Sequence, residues 1–493
     1  MLLLSAQQIQ EWDAFTMQHE PIASIDLMER AAERCVDWIS VNDFSDKKIK
    51  IFCGKGNNGG DGLAIARLLL QKNYHVSVYI LEFGARGTDD FQINLHLLHQ
   101  LTTEIYFIQS AEFIPTISKE DIVIDALYGS GLNRPLQLLS KEIVDHINLS
   151  AAAIISIDVP SGMSIDKSSK GNPIILATHT LTFQFLKLCF LVAENADHFG
   201  EVHILDIGLH PDFLRSAETA FEVVSQQQMA SMIRPRNDFS HKGNYGHALL
   251  IAGNKGKMGA ALLAAKACLR TGAGLVTVNV PEGDQATINT FLPEAMTTDR
   301  ADEIAFHQYS AIGIGPGLGT DKHEKIILPL VLEEYGKPLV IDADALNIIS
   351  ENRNLLQLIP KHSILTPHPK EFERLFGVCE NDFERLNKAI ELSAQYSFII
   401  ILKGHYTLIA ANGKGYFNDT GNSGLAKGGS GDTLTGMITS LLAQHYEPLQ
   451  AALIGVYLHG LAADLALENQ STESLLATDV IDAIGKAFNY LKD

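Results

Sequence analysis

The segment GNSGLAKGGSGDTLTGMI at residues 421–438 is the most informative stretch of the chain. Gly428, Gly429 and Gly431 form a glycine-rich loop, and the apolar run that follows it is compatible with a helix. Free backbone N–H groups at the start of such a helix form a cradle for an anion. Asp432 lies at the mouth of this cradle, where a carboxylate can take a proton from a hydroxyl that attacks a phosphate. A helix-capping aspartate after a glycine turn is the alternative.

Short β-branched runs that end in glycine- or aspartate-rich turns precede this segment in the chain. Six of them lie in the C-terminal half of the chain, at residues 246–256, 274–281, 310–319, 338–347, 362–369 and 398–404. Four more lie in the N-terminal half, at residues 48–54, 75–82, 121–131 and 152–162. Helical stretches separate the runs, and we expect one of them to begin near Asp61. The alternation predicts α/β architecture in both halves, with parallel sheets covered by helices.

The alternation of strands and helices breaks once, over residues 209–243, where the sequence is polar, irregular and contains proline. We place a domain boundary there, near residue 220. The predicted domains are therefore residues 1–220 and residues 221–493. A chain of 493 residues also exceeds what one hydrophobic core usually organises.

Composition and charge exclude several classes of function. The formal net charge of -20 would repel a nucleic-acid backbone, although local N–H cradles can still bind small anions. The five cysteines include no C-x-x-C pair, so neither a zinc site nor a disulfide framework is indicated. The N-terminus lacks the basic region of a signal peptide, and no apolar run reaches the roughly 18 residues of a membrane span. We expect a soluble, cytoplasmic protein without membrane or nucleic-acid partners.

A second glycine-rich segment, GKGNNGGDG at residues 54–62, follows a predicted strand and opens a helix. Its spacing matches G-x-G-x-x-G, and Glu82 ends the next predicted strand. The glycine spacing and this acidic residue together form a dinucleotide-binding fingerprint. A plain tight turn is the alternative. The polar residues Asn57, Asn58 and Asp61 stand where an ordinary dehydrogenase has small or apolar residues, which argues against hydride transfer.

Polar turns end three later predicted strands of the N-terminal half, and the last of these turns is Glu194-Asn195. Asp125 ends one predicted strand, and Asp158 and Ser161 follow the next. Since strand ends of a parallel sheet line one crevice, Asn58, Asp125 and Ser161 could meet there. Their hard oxygen ligands suit an alkali or alkaline-earth cation. Asx-turns and caps at strand ends are the alternative.

The N-terminal motifs IFCGKGNNGGDGLAIAR, DALYGSGLNRP and IDVPSG resemble the NAD(P)H-hydrate epimerase family over roughly residues 1–215. The resemblance implies a Rossmann-like three-layer domain that binds NADH or NADPH hydrated at C6 of the nicotinamide ring. It implies that this substrate is held by Asn57, Asn58, Gly59, Gly60, Asp61, Gly129, Ser130, Gly131, Leu132, Asn133, Arg134, Pro135 and Asp158.

The same resemblance implies that Asn58, Asp125 and Ser161 ligate potassium and that Asp158 is the acid/base. Protonating the C6 hydroxyl lets the ring nitrogen expel water and leave a planar iminium, and water that returns from the other face inverts the centre. One carboxyl group that gives and takes a proton is enough for this chemistry. Asp125 is the alternative acid/base if the cation does not occupy it.

The G-G-x-G-D arrangement at 428–432 resembles the ribokinase-like superfamily, and no Walker P-loop is present. Five further motifs precede it in order: AGNKGKMGAALLAAKACLRTGAGLVTV (252–278), IGPGLG (314–319), VIDADALN (340–347), TPHPKEFERL (366–375) and LKGHYT (402–407). Together the six resemble the NAD(P)H-hydrate dehydratase family over about 222–493, which implies a ribokinase-like α/β domain.

This second resemblance implies two sets of binding residues. The hydrated dinucleotide would contact Ala260, Gly317, His368 and Asp432. The nucleotide would be held by Lys403, Gly404, His405, Tyr406, Thr407 and Gly431. It also implies ADP as phosphoryl donor, with ATP possible, and Mg²⁺. Taken singly, His368 could be a helix-start residue, the carboxylates of IDADALN could be caps, and Lys403 could be a surface charge.

A dehydratase needs a phosphoryl donor because hydroxide is a poor leaving group and phosphate is a better one. Asp432 would deprotonate the C6 hydroxyl as it attacks the terminal phosphate, and the N–H cradle would stabilise the transferring group. The family resemblance also implies a symmetric homo-oligomer, a tetramer or larger. The rival hypotheses are a sugar or vitamin kinase with a regulatory nucleotide-binding domain, and a non-catalytic dinucleotide sensor.

Overall fold

The computed structural model describes residues 1–42, 44–322 and 324–492. Contacts divide the chain into two compact units. The first unit comprises Leu2–Thr219 with Asn381–Phe383, and the second comprises Met1, Ala220–Glu380 and Glu384 to the end of the described chain. Each unit is built on its own sheet of mainly parallel strands.

The first unit is a three-layer α/β structure. Its strands are β1 (Leu2–Leu3), β2 (Lys48–Cys53), β3 (His75–Leu81), β4 (Ile105–Ile108), β5 (Ile122–Ala126), β6 (Ala153–Ile157), β7 (His179–Phe183) and β8 (Glu201–Leu205). Its helices are α1 (Ala6–His19), α2 (Ser24–Val41), α3 (Asn57–Gln71), α4 (Asp89–His99) and α5 (Leu138–Leu149). Seven strands form a parallel sheet in the order β4-β3-β2-β5-β6-β7-β8.

Alternation along the central strands fills both faces of this sheet. Ile122 and Ile124 of β5 join a core cluster with α2, α3 and α4, whereas Val123 joins a cluster with α5 on the other face. The four predicted N-terminal strands are confirmed as β2, β3, β5 and β6. The strands β4, β7 and β8 were not predicted, because their short or histidine- and threonine-containing sequences lack the long apolar runs of the central strands. The prediction that a strand ends at Glu194-Asn195 is wrong, because Ala193–Asn195 forms a short 3-10 helix.

The helix predicted to begin near Asp61 begins four positions earlier, so this prediction is wrong. Gly56 is the N-cap of α3 in an extended conformation, and Asn57 to Gly60 form the first helical turn. Glycine is required at position 59, since a Cβ there would lie 1.9 Å from the backbone oxygen of Gly54. The polar segment after β2 is therefore a helix start with free N–H groups, not a loop.

The described part of the second unit contains ten strands in one sheet. They are β9 (Phe221–Val223), β10 (His247–Ile251), β11 (Leu275–Val280), β12 (Met296–Asp299), β13 (Ala311–Ile314), β14 (Val340–Ile341), β15 (Ile364–Leu365), β16 (Ile399–Leu402), β17 (Thr407–Ala411) and β18 (Lys414–Asn418). Their order is β9-β18-β17-β16-β15-β14-β13-β10-β11-β12. Pairings are parallel from β16 to β12, which confirms the six predicted strands, and antiparallel at β16-β17 and β17-β18.

Ten α-helices accompany this second sheet within the residues that the structure describes. They are α6 (Gln226–Met232), α7 (Met258–Thr271), α8 (Gln285–Phe291), α9 (Glu324–Glu334), α10 (Ala343–Glu351), α11 (Pro369–Phe376), α12 (Asp382–Tyr396), α13 (Ser430–Ala443), α14 (Pro448–Ala466) and α15 (Ala477–Tyr490). The helices α7, α13, α14 and α15 contribute to one large hydrophobic cluster with the sheet. Within the described ranges, α14 with its following turn to Asn469 is the one helix apolar and long enough to cross a membrane, and 78% of its apolar window is buried.

Candidate functional sites

A cavity of about 520 Å³ lies at the carboxyl ends of the central strands of the first unit. The predicted substrate residues that line it are Asn57, Asn58, Asp61, Gly129, Ser130, Gly131, Leu132, Asn133, Arg134 and Asp158. Gly59, Gly60 and Pro135 are not among its lining residues. The start of α3 and the segments after β5 and β6 therefore meet at one site, as expected for a parallel sheet.

Asp158 is held in this cavity by an ion pair that the sequence did not reveal. Its Oδ1 lies 2.8 Å from the Nζ of Lys187, and its Oδ2 accepts a hydrogen bond of 3.1 Å from the backbone N–H of Ser130. Although burial raises the pKa of Asp158, Lys187 and Ser130 outweigh burial and hold that pKa below its ordinary value. Asp158 also has a φ of 68°, a left-handed conformation that is costly outside glycine. Strain of this kind is typical of functional sites.

Two further carboxyl groups of the cavity have pKa values that are raised, in contrast to the lowered pKa of Asp158. Burial and the negative charge of Asp158 raise the pKa of Asp61 well above its ordinary value. The same two causes raise the pKa of Asp13 to about 7, although Lys187 opposes them. The site thus combines an ionised carboxylate with groups that hold a proton near neutrality. Asp13 comes from α1 and carried no local sequence signal.

Asp125 and Ser161 meet as predicted, in a dense hydrogen-bond network. The Ser161 hydroxyl donates to Asp125 Oδ1 at 2.5 Å, and the Ser161 backbone N–H donates to Oδ2 at 2.8 Å. Ser156 donates to Oδ2 at 2.8 Å, and the backbone N–H of Leu127 donates to Oδ1 at 3.3 Å. The contact with Leu127 is an Asx-type turn. The alternative interpretation, an Asx-turn at the strand end, therefore describes part of what Asp125 does. Burial nevertheless outweighs these bonds and raises its pKa.

Among the three predicted cation ligands, Asn58 is the residue whose polar side-chain atoms have no hydrogen-bond partner in the described chain. Its side chain is buried against Gly129, yet within the described chain neither Oδ1 nor Nδ2 has a hydrogen-bond partner. The segment carrying Gly129 is joined to Ser161 through Tyr128, whose N–H donates to the Ser161 hydroxyl at 2.9 Å. An unpartnered amide oxygen, a carboxylate and a hydroxyl are each the kind of oxygen ligand that an oxygen-preferring cation takes.

The second unit places the G-G-x-G-D motif at the start of α13. Gly429, with a φ of 98°, is the N-cap, and the helix begins at Ser430, earlier than the apolar run alone predicts. Asp432 therefore lies in the first helical turn and is not the capping residue, so the alternative interpretation is wrong. The N–H groups of this first turn lack intrahelical partners, which the predicted anion cradle requires.

A partly buried ion pair lies against this loop. Lys403 Nζ lies 2.9 Å from Asp342 Oδ1, and Thr435 donates to Asp342 Oδ2 at 2.8 Å. A Cβ on Gly431 would lie 3.4 Å from Lys403 Nζ, which places the loop directly against this pair. Lys403 is thus not a surface charge, and Asp342 does not cap α10 through its side chain. Burial lowers the pKa of Lys403, but Asp342 and Glu371 outweigh it and raise that pKa.

The charges of Asp342 and Lys403 both act on the pKa of Asp432, which is raised. Burial and the charge of Asp342 raise the pKa of Asp432 to about 6, against the opposing effect of Lys403. Asp344 adds to the increase. A carboxyl group with a pKa just below neutral is ionised at physiological pH and still basic enough to accept a proton from a hydroxyl.

A cavity of about 710 Å³ adjoins this loop. The predicted residues that line it are His368, Lys403, Gly404, His405, Thr407 and Gly431, whereas Tyr406 and Asp432 are not among them. His459 of α14 also lines it and carried no assignment from sequence. Its Nε2 is buried and has no hydrogen-bond partner in the described ranges, and burial lowers its pKa to about 4.

His368 begins a helix and also lines this cavity. It is the N-cap of α11, and its Nδ1 accepts hydrogen bonds from the backbone N–H groups of Lys370 at 3.1 Å and Glu371 at 3.3 Å. The helix-start interpretation is therefore confirmed. Because the ring also lines the cavity, Nε2 is the nitrogen left for a ligand, with Glu371 Oε1 3.5 Å away.

Ala260 and Gly317 lie together and are not among the residues that line this cavity. A Cβ on Gly317 would come within 2.9 Å of Ala260 Cβ. Nearby, Asp344 accepts a hydrogen bond of 2.8 Å from the N–H of Gly319 and pairs with Lys257 at 3.1 Å. Since Asp344 also raises the pKa of Asp432, the field of this group reaches the start of α13.

Comparison with known proteins relates both units to characterised families. Residues 24–189 match the family described as the YjeF-related protein N-terminus, and residues 248–486 match the NAD(P)H-hydrate dehydratase family. A bifunctional NAD(P)H-hydrate repair enzyme of Moorella thermoacetica is 32% identical over 517 residues, covering 100% of this chain and 98% of that relative. The Escherichia coli enzyme of the same name is 34% identical over 447 residues, covering 89% and 84%. A solved ribokinase-like superfamily protein from Enterococcus faecalis is 30% identical with a TM-score of 0.52, covering 56% of this chain and 99% of that one.

Proposed function

The chain belongs to the family of bifunctional NAD(P)H-hydrate repair enzymes, and from that premise we propose how its two sites divide the reaction. It combines an epimerase and a dehydratase for nicotinamide nucleotide repair. We assign the epimerase to residues 1–220 and the dehydratase to residues 221–493. The epimerase interconverts the R- and S-forms of the hydrate, and the dehydratase consumes the S-form.

The dehydratase step is a phosphoryl transfer followed by elimination. Asp432 takes the proton of the C6 hydroxyl while the hydroxyl oxygen attacks the terminal phosphorus of ADP, and AMP departs as that phosphorus–oxygen bond breaks. The ring nitrogen then expels phosphate by cleavage of the C6–O bond, and loss of a proton from C5 restores the dihydropyridine. The products are NAD(P)H, AMP and inorganic phosphate.

The observation that carries this assignment is the position of Asp432 in the first turn of α13, in the field of the partly buried Lys403–Asp342 pair. Burial and Asp342 raise its pKa to about 6, so it is an ionised base at neutral pH. Ser430 and Gly431 of this first turn line the adjoining cavity of about 710 Å³, where their N–H groups can stabilise charge on the transferring group. This arrangement supports deprotonation and charge stabilisation at one place.

We propose that the nucleotide is bound in that cavity by Lys403, Gly404, His405, Thr407 and Gly431, with Tyr406 supporting the loop. ADP is the donor, and ATP fits the same chemistry. Mg²⁺, when bound with the nucleotide, neutralises phosphate charge. His368, Ala260, Gly317 and Asp432 contact the hydrated dinucleotide.

In the epimerase we assign the acid/base to Asp158. Its carboxylate accepts the proton of the water that returns to C6, and the neighbouring Asp61 holds the proton that protonates the departing hydroxyl. Proton exchange between the two carboxyl groups resets the site. Asp125 is the weaker candidate, because it is not among the residues that line the cavity.

We propose that potassium is held by Asn58, Asp125 and Ser161. The unpartnered amide oxygen of Asn58 supports this set. The positive charge would fix the start of α3 against the segment after β5, and so shape the pocket for the nicotinamide. Asn58→Leu should abolish the dependence of epimerase activity on potassium.

The test is a product assay of the whole chain with ADP and separate R- and S-hydrates. Asp158→Asn should clear the S-form at the parent rate and leave the R-form, whereas Asp432→Asn should clear neither. Asp145→Asn and Asp482→Asn are matched controls, since both residues lie in exposed surface ion pairs. The assignment fails if Asp158→Asn clears both epimers at the parent rate. A sugar or vitamin kinase would instead release a stable phosphorylated product.

We also propose that the protein works in the cytoplasm as a homo-oligomer, a tetramer or larger. Its five cysteines are buried and unpaired, as suits a reducing compartment. Sedimentation equilibrium of the full chain tests the oligomer, and a monomeric mass would overturn it.

A further inference from the structure

Two histidines and a glutamate converge on neighbouring edge strands of the first unit, away from the residues assigned above. The strands β7 and β8 pair in parallel with His179 opposite Glu201 and Leu181 opposite His203. Residues in register on parallel strands point to the same face, so these side chains share one side of the sheet. Trp38 of α2 packs over both imidazoles, with ring centroids 5.1 Å and 4.7 Å away.

The polar atoms of the three side chains form a small triangle. His179 Nδ1 and His203 Nε2 are 3.2 Å apart, and the Glu201 Oε2 atom lies 3.7 Å from the first and 3.8 Å from the second. In a tetrahedral zinc site with bonds near 2.0–2.1 Å, ligand atoms stand about 3.4 Å apart. The triangle therefore has the dimensions of three such ligands around a shared centre.

We propose that His179, Glu201 and His203 form a binding site for a divalent transition metal of the zinc class. Imidazole nitrogens with one carboxylate favour Zn²⁺, Co²⁺, Ni²⁺ or Cu²⁺ over Mg²⁺ and K⁺. Glu201 is largely exposed, which leaves the fourth position of the site to water. Burial lowers the pKa of His203, although Glu201 opposes this, and a neutral imidazole is the form that binds a metal.

A metal at this place would fasten the edge of the sheet. β8 is the terminal strand of the seven-stranded order, and its pairing with β7 holds it on one side only. Two ligands from β8 and one from β7 would cross-link the strands beside Trp38. Since the ion would bind the folded chain and not the unfolded one, it should raise the thermal stability of the first unit.

The proposal is tested on the tag-free full chain after removal of metals with a chelator. Titration with Zn²⁺ by calorimetry should give one site per chain. Co²⁺ should produce the absorption of a low-coordinate ion and quench the fluorescence of Trp38. Excess Zn²⁺ should raise the melting temperature of the first unit, followed by tryptophan fluorescence, because both tryptophans of the chain, Trp12 and Trp38, belong to that unit.

His203→Ala should weaken Zn²⁺ binding by at least about tenfold, as expected for loss of a direct ligand, and should remove the Co²⁺ spectrum and the gain in melting temperature. His99→Ala, in an exposed position on α4, is the matched control and should bind like the parent. Unchanged epimerase activity of His203→Ala would show that the variant is folded. If the parent binds no Zn²⁺, or His203→Ala binds it with the parent affinity, the site is overturned.

Discussion

Asp432 is the residue on which the proposed phosphoryl transfer depends, and its pKa gives the transfer a pH dependence. Burial and Asp342 raise that pKa to about 6. As a general base it acts only when ionised, so kcat/KM of the dehydratase should rise with pH through about 6 and then level. Asp432→Asn should lower kcat by about 10²–10⁴-fold and remove this limb.

Asp482→Asn should retain both the parent rate and the parent pH profile, because Asp482 pairs with Lys266 outside the site. Epimerase activity, measured as R-to-S conversion without nucleotide, should be unchanged in Asp432→Asn. A pH limb near 6 that survives in Asp432→Asn would assign the titration to another group.

His459 provides a residue-level test of stability. Its folded pKa of about 4 lies below the model-peptide value of 6.5, so protonation favours the unfolded chain. This contribution is fully present above pH 6.5 and is lost as pH falls towards 4. Linkage then gives the second unit about 2 kcal/mol less stability at pH 5 than at pH 7 from this residue. His459→Gln should reduce the loss by about that amount.

Amide hydrogen exchange of α14 measures this difference, since it reports the unfolding free energy of the second unit separately from the first. The comparison uses the change between pH 7 and pH 5 within each variant, so any constant effect of the substitution on packing cancels. Equal losses in the parent and in His459→Gln would contradict the burial of a neutral imidazole.

At the scale of elements, the start of α13 depends on a conformation that only glycine adopts easily. Gly429 has a φ of 98°, and a Cβ there would lie 2.7 Å from Leu263 Cδ1. Gly429→Ala should destabilise the second unit by about 1–3 kcal/mol. It should also lower the dehydratase kcat/KM by up to about 100-fold, because it displaces the N–H cradle.

Gly428→Ala is the matched control, because a Cβ at position 428 meets no atom within 4 Å and its φ is not positive. Urea unfolding compares the stability of the two variants, and steady-state kinetics with varied ADP compares their dehydratase kcat/KM. Similar effects of Gly428→Ala and Gly429→Ala would contradict a specific role for the left-handed turn.

Periodicity and turn residues predicted the central strands, but they misplaced where helices begin. Both α3 and α13 start within the glycine-rich segments, because a glycine N-cap lets the chain turn directly from the preceding segment into the helix. The hairpin of β17 and β18 was missed although Asn412-Gly413, with φ of 50° and 78°, is a strong two-residue turn signal.

At the scale of the whole molecule, the sequence motifs predicted which residues lie in each candidate site. They did not predict the charged residues that interact with those residues. Lys187 and Asp13 reach Asp158 from distant elements, and Asp342 reaches Lys403 across the sheet. A sequence shows such residues without showing which of them pair, since pairing depends on how strands are ordered. The electrostatic character of each site therefore became visible only in three dimensions.

Phosphorylation of the substrate hydroxyl before its departure is the central claim, and the fate of one oxygen atom tests it. The S-hydrate carrying ¹⁸O in its C6 hydroxyl is incubated with ADP and the Asp158→Asn variant, so that epimerisation does not exchange the label with water. Mass spectrometry follows the label in phosphate and in the remaining substrate. One ¹⁸O atom in the released phosphate per NAD(P)H formed is the expected result. Unlabelled phosphate, formed while the remaining substrate keeps its ¹⁸O, would contradict the account.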